Sequence, residues 1–546
     1  MQLKRLIDNH EYVFSFIVIL LVVTIFNLHN VFGPQILLSD DNARYFLFVN
    51  DVFTIPNHRS ITDLLWLHVR FIASIFSTYS VEYARLYVLL IYMIPLSCLL
   101  YVFNRKILEL SQWVALASAV VINIIPRQYQ VPAFLEGSYT VTGMLAFVIT
   151  LIVTEQYLNS SRYKVIPIIA ISIGWLLTCD LMNEMGVLLF PAYIYLIYSS
   201  DAQLIKKLYL YLITSLITVY RIYIYFHLAG TLSNKPADHS LHVIANRIVK
   251  SIDWWLPVST GTTTKFIFVV LMAILVFYIY IKSKKSMREE KSIVRAYIFY
   301  GIWFLSCSFP FWFLSQYFSP RYFYISYIAL TTITFITVYQ ALILPTRYRQ
   351  QIATISIIII FSLYGAQRYL MNADMFNTWN KLNSEIYSLL SNEIVNKDTQ
   401  ISLVNINTRT GGYYIWSSGY LQYLLKMPGV RGIIGDEYNF YDPFNLEHCG
   451  YRFTMSCLDT SKELIAYKKD MTHHVVRMNY FLQWKDKGKR DSDWSIYKTN
   501  NKNRLSLVAT GSGIDNYRNT LSELNLSPDQ VLWGNYNDKK SLETRM

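Results

Sequence analysis

Long apolar runs recur along the sequence, and they constrain the fold more than any other feature. A helix needs about 20 mainly apolar residues to cross a bilayer, and this criterion predicts roughly eleven spans. Their approximate bounds are 12–32, 83–103, 111–125, 138–158, 165–180, 185–199, 208–229, 264–281, 296–314, 322–344 and 352–370. The composition agrees, because 53% of the residues are hydrophobic and only 16% are charged. The sequence therefore predicts an α-helical polytopic membrane protein.

The formal net charge of +13 is carried largely by lysines and arginines that lie between the apolar runs. In that position they orient a membrane protein, and they do not form the clustered patch that nucleic acid binding requires. Alternate connections are enriched in basic residues, namely Lys4, Arg5, Arg105, Lys106, Arg162, Lys164, Lys206, Lys207, Lys284, Lys285, Arg347 and Arg349. The positive-inside rule then predicts a cytoplasmic N-terminus, and an odd number of spans places the C-terminal tail on the outer side.

Two long loops and the tail are predicted to lie on the outer side. In the first loop, residues 33–82, apolar residues at helical spacing follow Ser60 to Asp63 and predict an amphipathic interfacial helix from Leu64. Residues 230–263 form the second long loop. Beyond Leu370 the composition becomes polar, which separates a transmembrane domain, 1–370, from a small periplasmic α/β domain, 371–546. The predicted elements of the latter are strands at 401–406 and 505–509 and a helix at 417–426.

Two adjacent carboxylates, Asp40 and Asp41, follow the first span. Charged side chains are costly beside lipid, so a pair at a membrane exit is a functional candidate. One carboxylate would take a proton from an incoming hydroxyl, and the other would orient the acceptor or hold a cation. Arg44, one turn later, either binds a phosphate or neutralises Asp40. The competing interpretation is a helix N-cap after Ser39.

Further charged and aromatic residues are predicted at the outer ends of the spans. Arg321 begins a helix among aromatic residues, where it either binds a phosphate or snorkels to the interface. Arg221 lies inside an apolar span and needs a partner, which is either a carboxylate or a ligand phosphate. The residues predicted to line a cavity or contact the acceptor are Arg127, Glu136, Asp180, Glu184 and Tyr322.

Metal and cofactor motifs are not evident in the sequence. His448 beside Cys449, and the pair His473 and His474, lack regular metal-ligand spacing and are predicted to be surface residues. A disulfide between Cys449 and Cys457 is an open alternative if the tail lies outside the cytosol. No Walker loop, dinucleotide-binding glycine motif or nucleophile elbow is present. No cofactor is expected, a divalent cation stays an open alternative, and the donor is predicted to be already activated on a lipid.

The whole pattern resembles the lipid-dependent GT-C superfamily of glycosyltransferases. The shared features are the acidic pair after span one, amphipathic helices in the first outer loop, about eleven spans and a C-terminal outer domain. The local motif is Ser39-Asp40-Asp41-Asn42-Ala43-Arg44-Tyr45. More narrowly, the chain is similar to the bacterial and bacteriophage serotype-converting O-antigen glucosyltransferases of the Gtr type.

This resemblance implies an inner-membrane enzyme with a polyprenyl-phosphate sugar donor, and undecaprenyl phosphate glucose is the expected one. The implied acceptor is a periplasmic, lipid-linked glycan such as the O-antigen repeat of lipopolysaccharide. Asp41 or Asp40 would be the general base of an inverting transfer, with Asp41 preferred. Arg44, Arg321 and Arg221 would stabilise the charge growing on the donor phosphate. The alternatives are an O-antigen polymerase or ligase, a lipid A modifying enzyme and a non-enzymatic glycolipid flippase.

Overall fold

A computed structural model describes the chain in two compact units. The first comprises 1–33, 54–76 and 82–375, and the second comprises 34–53, 77–81 and 376–546. The residues that the structure describes are 11–33, 64–123, 138–160, 165–182, 184–228, 240–255, 291–313, 323–342, 370, 373–378, 380–393, 395, 399–404, 417–427, 430–436, 439–441, 463–469, 475–484, 493–527 and 530–533.

The described part of the first unit is helical. Its helices are α1 (Glu11–Phe32), α2 (Leu64–Thr78), α3 (Val81–Ile107), α4 (Gln112–Val121), α5 (Ser138–Asn159), α6 (Val165–Leu181), α7 (Glu184–Leu188), α8 (Phe190–Ser199), α9 (Leu204–Leu228), α10 (Leu241–Trp255), α11 (Lys291–Phe313) and α12 (Tyr324–Leu342). The prediction of an amphipathic helix from Leu64 is confirmed by α2. Helix α10 lies within the second predicted loop, 230–263, where only a connection was expected.

Five of these helices are long and apolar enough to cross a membrane, which is consistent with the predicted membrane protein. They are α1, α3, α5, residues Leu204–Ile224 of α9, and α11. Four further predicted spans coincide with shorter apolar helices at Gln112–Val121, Val165–Leu181, Met185–Ser199 and Tyr324–Thr337. The predicted spans 264–281 and 352–370 lie outside the described residues, apart from Leu370.

Lysines cap the helices that end beside them at one end of this bundle. Lys206, which is only 2% exposed, donates to the carbonyl oxygens of Tyr157, at 3.3 Å, and of Ser160, near the end of α5. Lys207 donates to the carbonyl of Tyr198, at 3.1 Å, near the end of α8. The last carbonyls of a helix have no intrahelical donor and carry partial negative charge, so an ammonium group stabilises them.

Two arginine–carboxylate pairs lie at the same end. Arg105 Nε donates to Glu11 Oε1 at 2.7 Å and so fastens α3 to the start of α1. Arg295 of α11 contacts Glu155 of α5 at 3.1 Å and donates to Ser199 Oγ of α8 at 3.0 Å. Because the same arginine also reaches the carbonyl of Ile107, these contacts form one connected basic end, defined by Glu11, Arg105, Glu155, Lys206, Lys207 and Arg295.

The second unit contains two sheets. The first has the order β3-β2-β1-β4-β5, with strands Asn439–Tyr441, Arg431–Asp436, Gln400–Val404, Leu464–Lys469 and Val475–Arg477. The central strand β1 is parallel to both β2 and β4, and helix α13 (Ser417–Leu425) connects β1 to β2. The second sheet has the order β8-β7-β6-β9, with strands Leu505–Ser512, Asp493–Thr499, Tyr480–Trp484 and Val531–Trp533. The structure therefore confirms the predicted strands near 401 and 505 and the helix near 417.

Packing inside this unit is apolar, with one polar brace. Helix α14 (Ile514–Glu523) covers the second sheet through a cluster that includes Trp494 and Tyr517. On the first sheet, Tyr467 donates to Glu393 at 2.5 Å, and Glu393 also pairs with Arg477. Burial raises the pKa of Tyr467. The brace therefore holds helical residues 380–391 onto the sheet through a neutral phenol and an ion pair.

Glycine at position 186 is required by the close approach of α7 to α6. A Cβ placed on Gly186 would lie 2.7 Å from Cys179 Cα and 2.9 Å from the carbonyl carbon of Thr178. These are backbone atoms of the last turn of α6, so they cannot rotate away as a side chain can. We expect Gly186→Ala to lower the free energy of unfolding by about 1–3 kcal/mol through overpacking.

Gly301→Ala is the matched control. The added Cβ of Gly301, in α11, meets nothing within 4 Å, and alanine is the better helix former by about 1 kcal/mol. Unfolding of the purified protein by a denaturing detergent should therefore show a lower free energy of unfolding for Gly186→Ala and no decrease for Gly301→Ala. Equal effects of the two substitutions would contradict the packing described for α6 and α7.

Candidate functional site

The structure brings together two of the residues that the sequence singled out. Asp180 and Arg221 form a buried pair, described below. Glu184 is the first residue of α7, and its side chain is outside the description. The other predicted site residues lie outside the described residues, and their roles stay predictions: Asp40, Asp41, Arg44, Arg127, Glu136, Arg321 and Tyr322.

Asp180 and Arg221 face each other from the ends of two apolar helices. Arg221 Nη1 lies 3.8 Å from Asp180 Oδ1, and the two side chains are 1% and 0% exposed. The separation is that of an ion pair and is longer than a hydrogen bond. Of the two partners that the sequence left open for Arg221, the structure therefore shows the carboxylate.

Helices α6 and α9 run parallel, and this orientation places the pair. Trp175 Nε1 of α6 donates to Thr218 Oγ1 of α9 at 3.0 Å, and Asp180 meets Arg221 about one turn further along both helices. Thr218 in turn donates to the carbonyl of Thr214 at 2.8 Å. One hydrogen bond between buried polar groups thus joins these helices about one turn before the ion pair, and a second holds Thr218 within α9.

A buried ion pair at this depth is weak evidence for a role in stability. Removing two charges from water costs several kcal/mol per ion, and their attraction regains this only with good geometry. Apolar residues of similar size often give equal or greater stability. Ionisable groups inside membrane helices mark ligand or ion pathways more often than they serve packing. The pair as a whole is neutral, so a ligand beside it meets an oriented dipole whose positive end is the Arg221 guanidinium.

Helix α2 is fastened to the start of α5. His68 Nε2 lies 2.9 Å from Ser138 Oγ, and the His68 ring packs on Tyr92 of α3 with centroids 5.5 Å apart. Phe71, one turn along α2, packs edge-on against Tyr87 at 5.5 Å. Burial lowers the pKa of His68 from 6.5 to about 4, so the imidazole is neutral at physiological pH. One hydrogen bond and two ring contacts therefore position α2.

A π-helical turn places Tyr92 in this cluster. Residues Leu89–Met93 of α3 are π-helical and end two residues before Pro95. Proline has no N–H, so the helix cannot continue its regular bonding at this position, and a wider turn absorbs the irregularity. Tyr92 and Tyr87 pack edge-on at 5.5 Å. We define His68, Phe71, Tyr87, Tyr92 and Ser138 as the aromatic latch.

The aromatic latch and the ion pair lie at the same end of the first unit. Ser138 begins α5, and Gly143, about one turn later, is in close contact with Met182, which follows α6. Asp180 lies in the last turn of α6. Helix α2 is therefore fixed to the end of the bundle that carries the buried charges, opposite the basic end.

His68, Ser138 and Tyr92 are not among the site residues predicted from the sequence. In the sequence His68 is one position on the amphipathic face of α2, where a histidine is usually structural. Two features of the sequence could have pointed to this cluster. A proline follows shortly after Tyr92, and Ser138 is the first residue of a predicted span. Among the described residues, no group of three or more His, Cys, Asp or Glu side chains is placed to hold a metal ion.

The ion pair predicts a non-additive response to substitution. Asp180→Ala leaves the Arg221 charge buried beside a smaller residue, and we expect a loss of about 3–5 kcal/mol in unfolding free energy. The double variant Asp180→Ala, Arg221→Met removes both charges and should cost clearly less than the single variant. Detergent-induced unfolding measures both.

The exposed pair Asp515 and Arg518 is the control for this measurement. These side chains are 76% and 43% exposed and 3.7 Å apart, so Asp515→Ala should cost under about 1 kcal/mol. Additive losses from Asp180→Ala and Arg221→Met would show that the two charges do not interact across α6 and α9.

The lowered pKa of His68 predicts a pH dependence of stability. Because the folded pKa, about 4, is below the unfolded value of 6.5, the unfolded chain binds more protons between these values. Stability is therefore complete above pH 6.5 and falls as the pH drops from 6.5 toward 4. We expect His68→Gln, which keeps a hydrogen-bonding group but cannot be protonated, to reduce this fall in thermal unfolding scans. His242→Gln, on the exposed face of α10, should not.

The sequence was also compared with known proteins. No model of a known protein family matches the chain, and no curated protein is significantly similar to it. The function of this site therefore has to be argued from the residues that form it and from the chemistry those residues can perform.

Proposed function

We propose that the chain is a membrane glycosyltransferase that moves a hexose from a polyprenyl-phosphate donor to a glycan acceptor at the outer face of a bacterial inner membrane. The observation that carries this proposal is the pair Asp40 and Asp41 shortly after the end of α1 at Phe32. Carboxylates at a membrane exit can deprotonate a hydroxyl while the lipid part of the donor stays in the bilayer.

The described helices support a ligand site at this end of the bundle. Helix α2, to which the first loop leads, is fixed to the start of α5 by His68 and Ser138. The ion pair of Asp180 and Arg221 places charge at the same end, within apolar helices. A glycolipid phosphate stays charged at neutral pH and needs cationic groups close to the interface, and in this pair only the guanidinium of Arg221 is cationic.

The proposed reaction is a single displacement. The acceptor hydroxyl oxygen bonds to the anomeric carbon of the donor sugar as the bond from that carbon to the phosphate oxygen breaks. The hydroxyl proton goes to the carboxylate of Asp41, with Asp40 as the other candidate, and the bonding pair leaves on the polyprenyl phosphate. The anomeric configuration inverts, because attack and departure occur on opposite faces of the carbon.

Arginines would stabilise the charge that develops on the leaving phosphate. Arg44 and Arg321 are the first candidates, since guanidinium groups match phosphate oxygens in bidentate geometry. Arg221 already faces Asp180 at 3.8 Å, so part of its charge is compensated. We therefore assign it electrostatic stabilisation of the phosphate from a distance, without direct contact. The C-terminal unit and the segment 230–263 would recognise the acceptor glycan, with undecaprenyl phosphate glucose as the expected donor.

Substitution of the acidic pair tests the proposal. The wild type, Asp40→Asn and Asp41→Asn are expressed in a strain with smooth lipopolysaccharide, and the mass of the O-antigen repeat is measured. We expect one added hexose per repeat with the wild type, and a transfer rate lowered by about 10²- to 10⁴-fold without the general base. Asp201→Asn is the control, because Asp201 is exposed and precedes α9 beside the basic end.

Two outcomes would contradict the transferase. An unchanged repeat mass with altered O-antigen chain length would indicate polymerisation. Full activity of both asparagine variants, at wild-type membrane levels, would show that no base is needed there and would favour glycolipid translocation without chemistry.

A further inference from the structure

Three buried hydroxyl groups on the adjacent helices α11 and α12 have no hydrogen-bond partner in the part of the chain that the structure describes. They belong to Ser308 and Ser326, which are fully buried, and to Tyr324, which is 1% exposed. Such groups are rare in folded proteins, because a buried polar atom without a partner loses its hydrogen bonds to water and gains none in the protein. Each of them therefore calls for an explanation.

Neighbouring hydroxyls on the same helix are satisfied in the usual way. Thr332, Thr334 and Thr337 each donate to the carbonyl one turn earlier, at 2.9, 2.8 and 2.7 Å. A serine in a helix can form the same bond, yet Ser308 and Ser326 do not. Their hydroxyls are thus available to a partner other than their own helix.

The register of α11 and α12 places Ser308 opposite Ser326. Tyr297 donates to Thr337 Oγ1 at 2.9 Å near one end of the pair of helices, and the rings of Phe311 and Phe323 lie 5.8 Å apart near the other. Ser308 follows Tyr297, and Ser326 precedes Thr337, by about three full helical turns. Both serines therefore lie on the faces that meet, one turn inside the Phe311–Phe323 contact.

A proline adds a further acceptor at this position. Pro310 lies inside α11 and has no N–H, so the carbonyl of Ser306, one turn earlier, receives no bond from it. A backbone carbonyl and the two facing serine hydroxyls thereby lie within about one turn of each other along an otherwise apolar helix pair, and Tyr324 precedes Ser326 by about half a turn of α12. Inside a membrane, such backbone groups are tolerated where they line a cavity or bind a polar molecule.

The surroundings of these hydroxyls are aromatic. Trp303 Nε1 donates to the carbonyl of Ile325 at 3.1 Å, and Phe323 stacks on Tyr327 at 5.9 Å. Hydroxyl donors and acceptors set among flat apolar rings are complementary to a sugar, which has hydroxyls at its rim and C–H groups on its faces. In the sequence, Arg321 and Tyr322 directly precede Phe323.

We propose that Ser308, Ser326 and Tyr324 hydrogen-bond the hydroxyls of a hexosyl group that enters between the outer ends of α11 and α12. This inference rests on the proposed function and deepens it by naming side chains that bind the sugar. The hexosyl group belongs either to the lipid donor or to the acceptor glycan, and both present the same hydroxyl chemistry. With Arg321 next in sequence, the phosphate-linked donor is the expected source.

The test exploits the opposite effects of these hydroxyls on stability and on binding. The full-length protein and the variants Ser308→Ala, Ser326→Ala and Tyr324→Phe are placed in lipid nanodiscs. Without ligand, each variant should unfold at a higher temperature than the wild type, because an unsatisfied buried hydroxyl has been removed. Thr334→Val is the control, since its hydroxyl is already bonded to Leu330, and it should not gain stability.

Binding is measured with farnesyl phosphoryl glucose, farnesyl phosphate and an O-antigen repeat oligosaccharide. Each variant should bind farnesyl phosphoryl glucose about three- to tenfold more weakly than the wild type, which is the loss of one hydrogen bond. Binding of farnesyl phosphate should not change. A loss confined to the oligosaccharide would support the sugar site and assign it to the acceptor.

Two results would overturn the inference, and they are distinguishable. If the wild type binds the sugar-bearing lipid and all three variants bind it equally well, the hydroxyls contact only an internal water, and the proposed function is unaffected. If the wild type binds none of the three probes, the proposed function fails and the sugar site fails with it.

Discussion

Compensation of buried charge inside an apolar helix bundle is the constraint on which the rest of this structure depends. The first unit buries Lys206, Arg221 and Asp180 almost completely. A lone ion in such a place would cost many kcal/mol, so each buried ion here has a partner that fixes the position of a second helix. Arg295 alone connects α11 to α5 and α8 through Glu155 and Ser199. Polar contacts therefore determine which apolar helices are neighbours, a choice that hydrophobic burial alone leaves open.

The basic residues at one end of the bundle act in two ways that sequence reasoning treats separately. Lys206 and Lys207 lie in a connection whose positive charge predicts a cytoplasmic location. In the folded unit the same ammonium groups cap the carbonyl ends of α5 and α8. The orientation of the protein in the membrane and the packing of its helices are thus linked. Helices α5 and α8 end at this face with the negative ends of their dipoles, and the lysines that the positive-inside rule places there stabilise those ends. A neutral residue at either position would alter both properties.

Much of the helical part of this fold was predictable, since spans are determined by local apolar runs. The helix from Leu64 and the strand at Gln400–Val404 were also visible as short periodic patterns. Helix α10 was missed because its apolar residues are too few for a span, and its anchors act at long range: Trp255 donates to Thr331 at 3.0 Å. The pairing of Asp180 with Arg221 was likewise hidden, because no local spacing relates residues on α6 and α9. Which charged residues pair depends on which helices are neighbours. A single sequence has no periodic pattern that shows this.

The charged groups of the basic end and three hydroxyls near the opposite end differ in how completely they are satisfied. At the basic end, ammonium and guanidinium groups meet carbonyls and carboxylates within hydrogen-bond distance. Near the opposite end, the hydroxyls of Ser308, Tyr324 and Ser326 are buried with no hydrogen-bond partner in the described structure. Folding alone would favour apolar residues at those three positions. Their retention is explained if a ligand supplies the missing bonds, because groups that destabilise the empty protein then contribute to binding. The sign of the stability change therefore separates the two kinds of group: substitution of a charged group that has a partner weakens the fold, and removal of one of these three hydroxyls strengthens it.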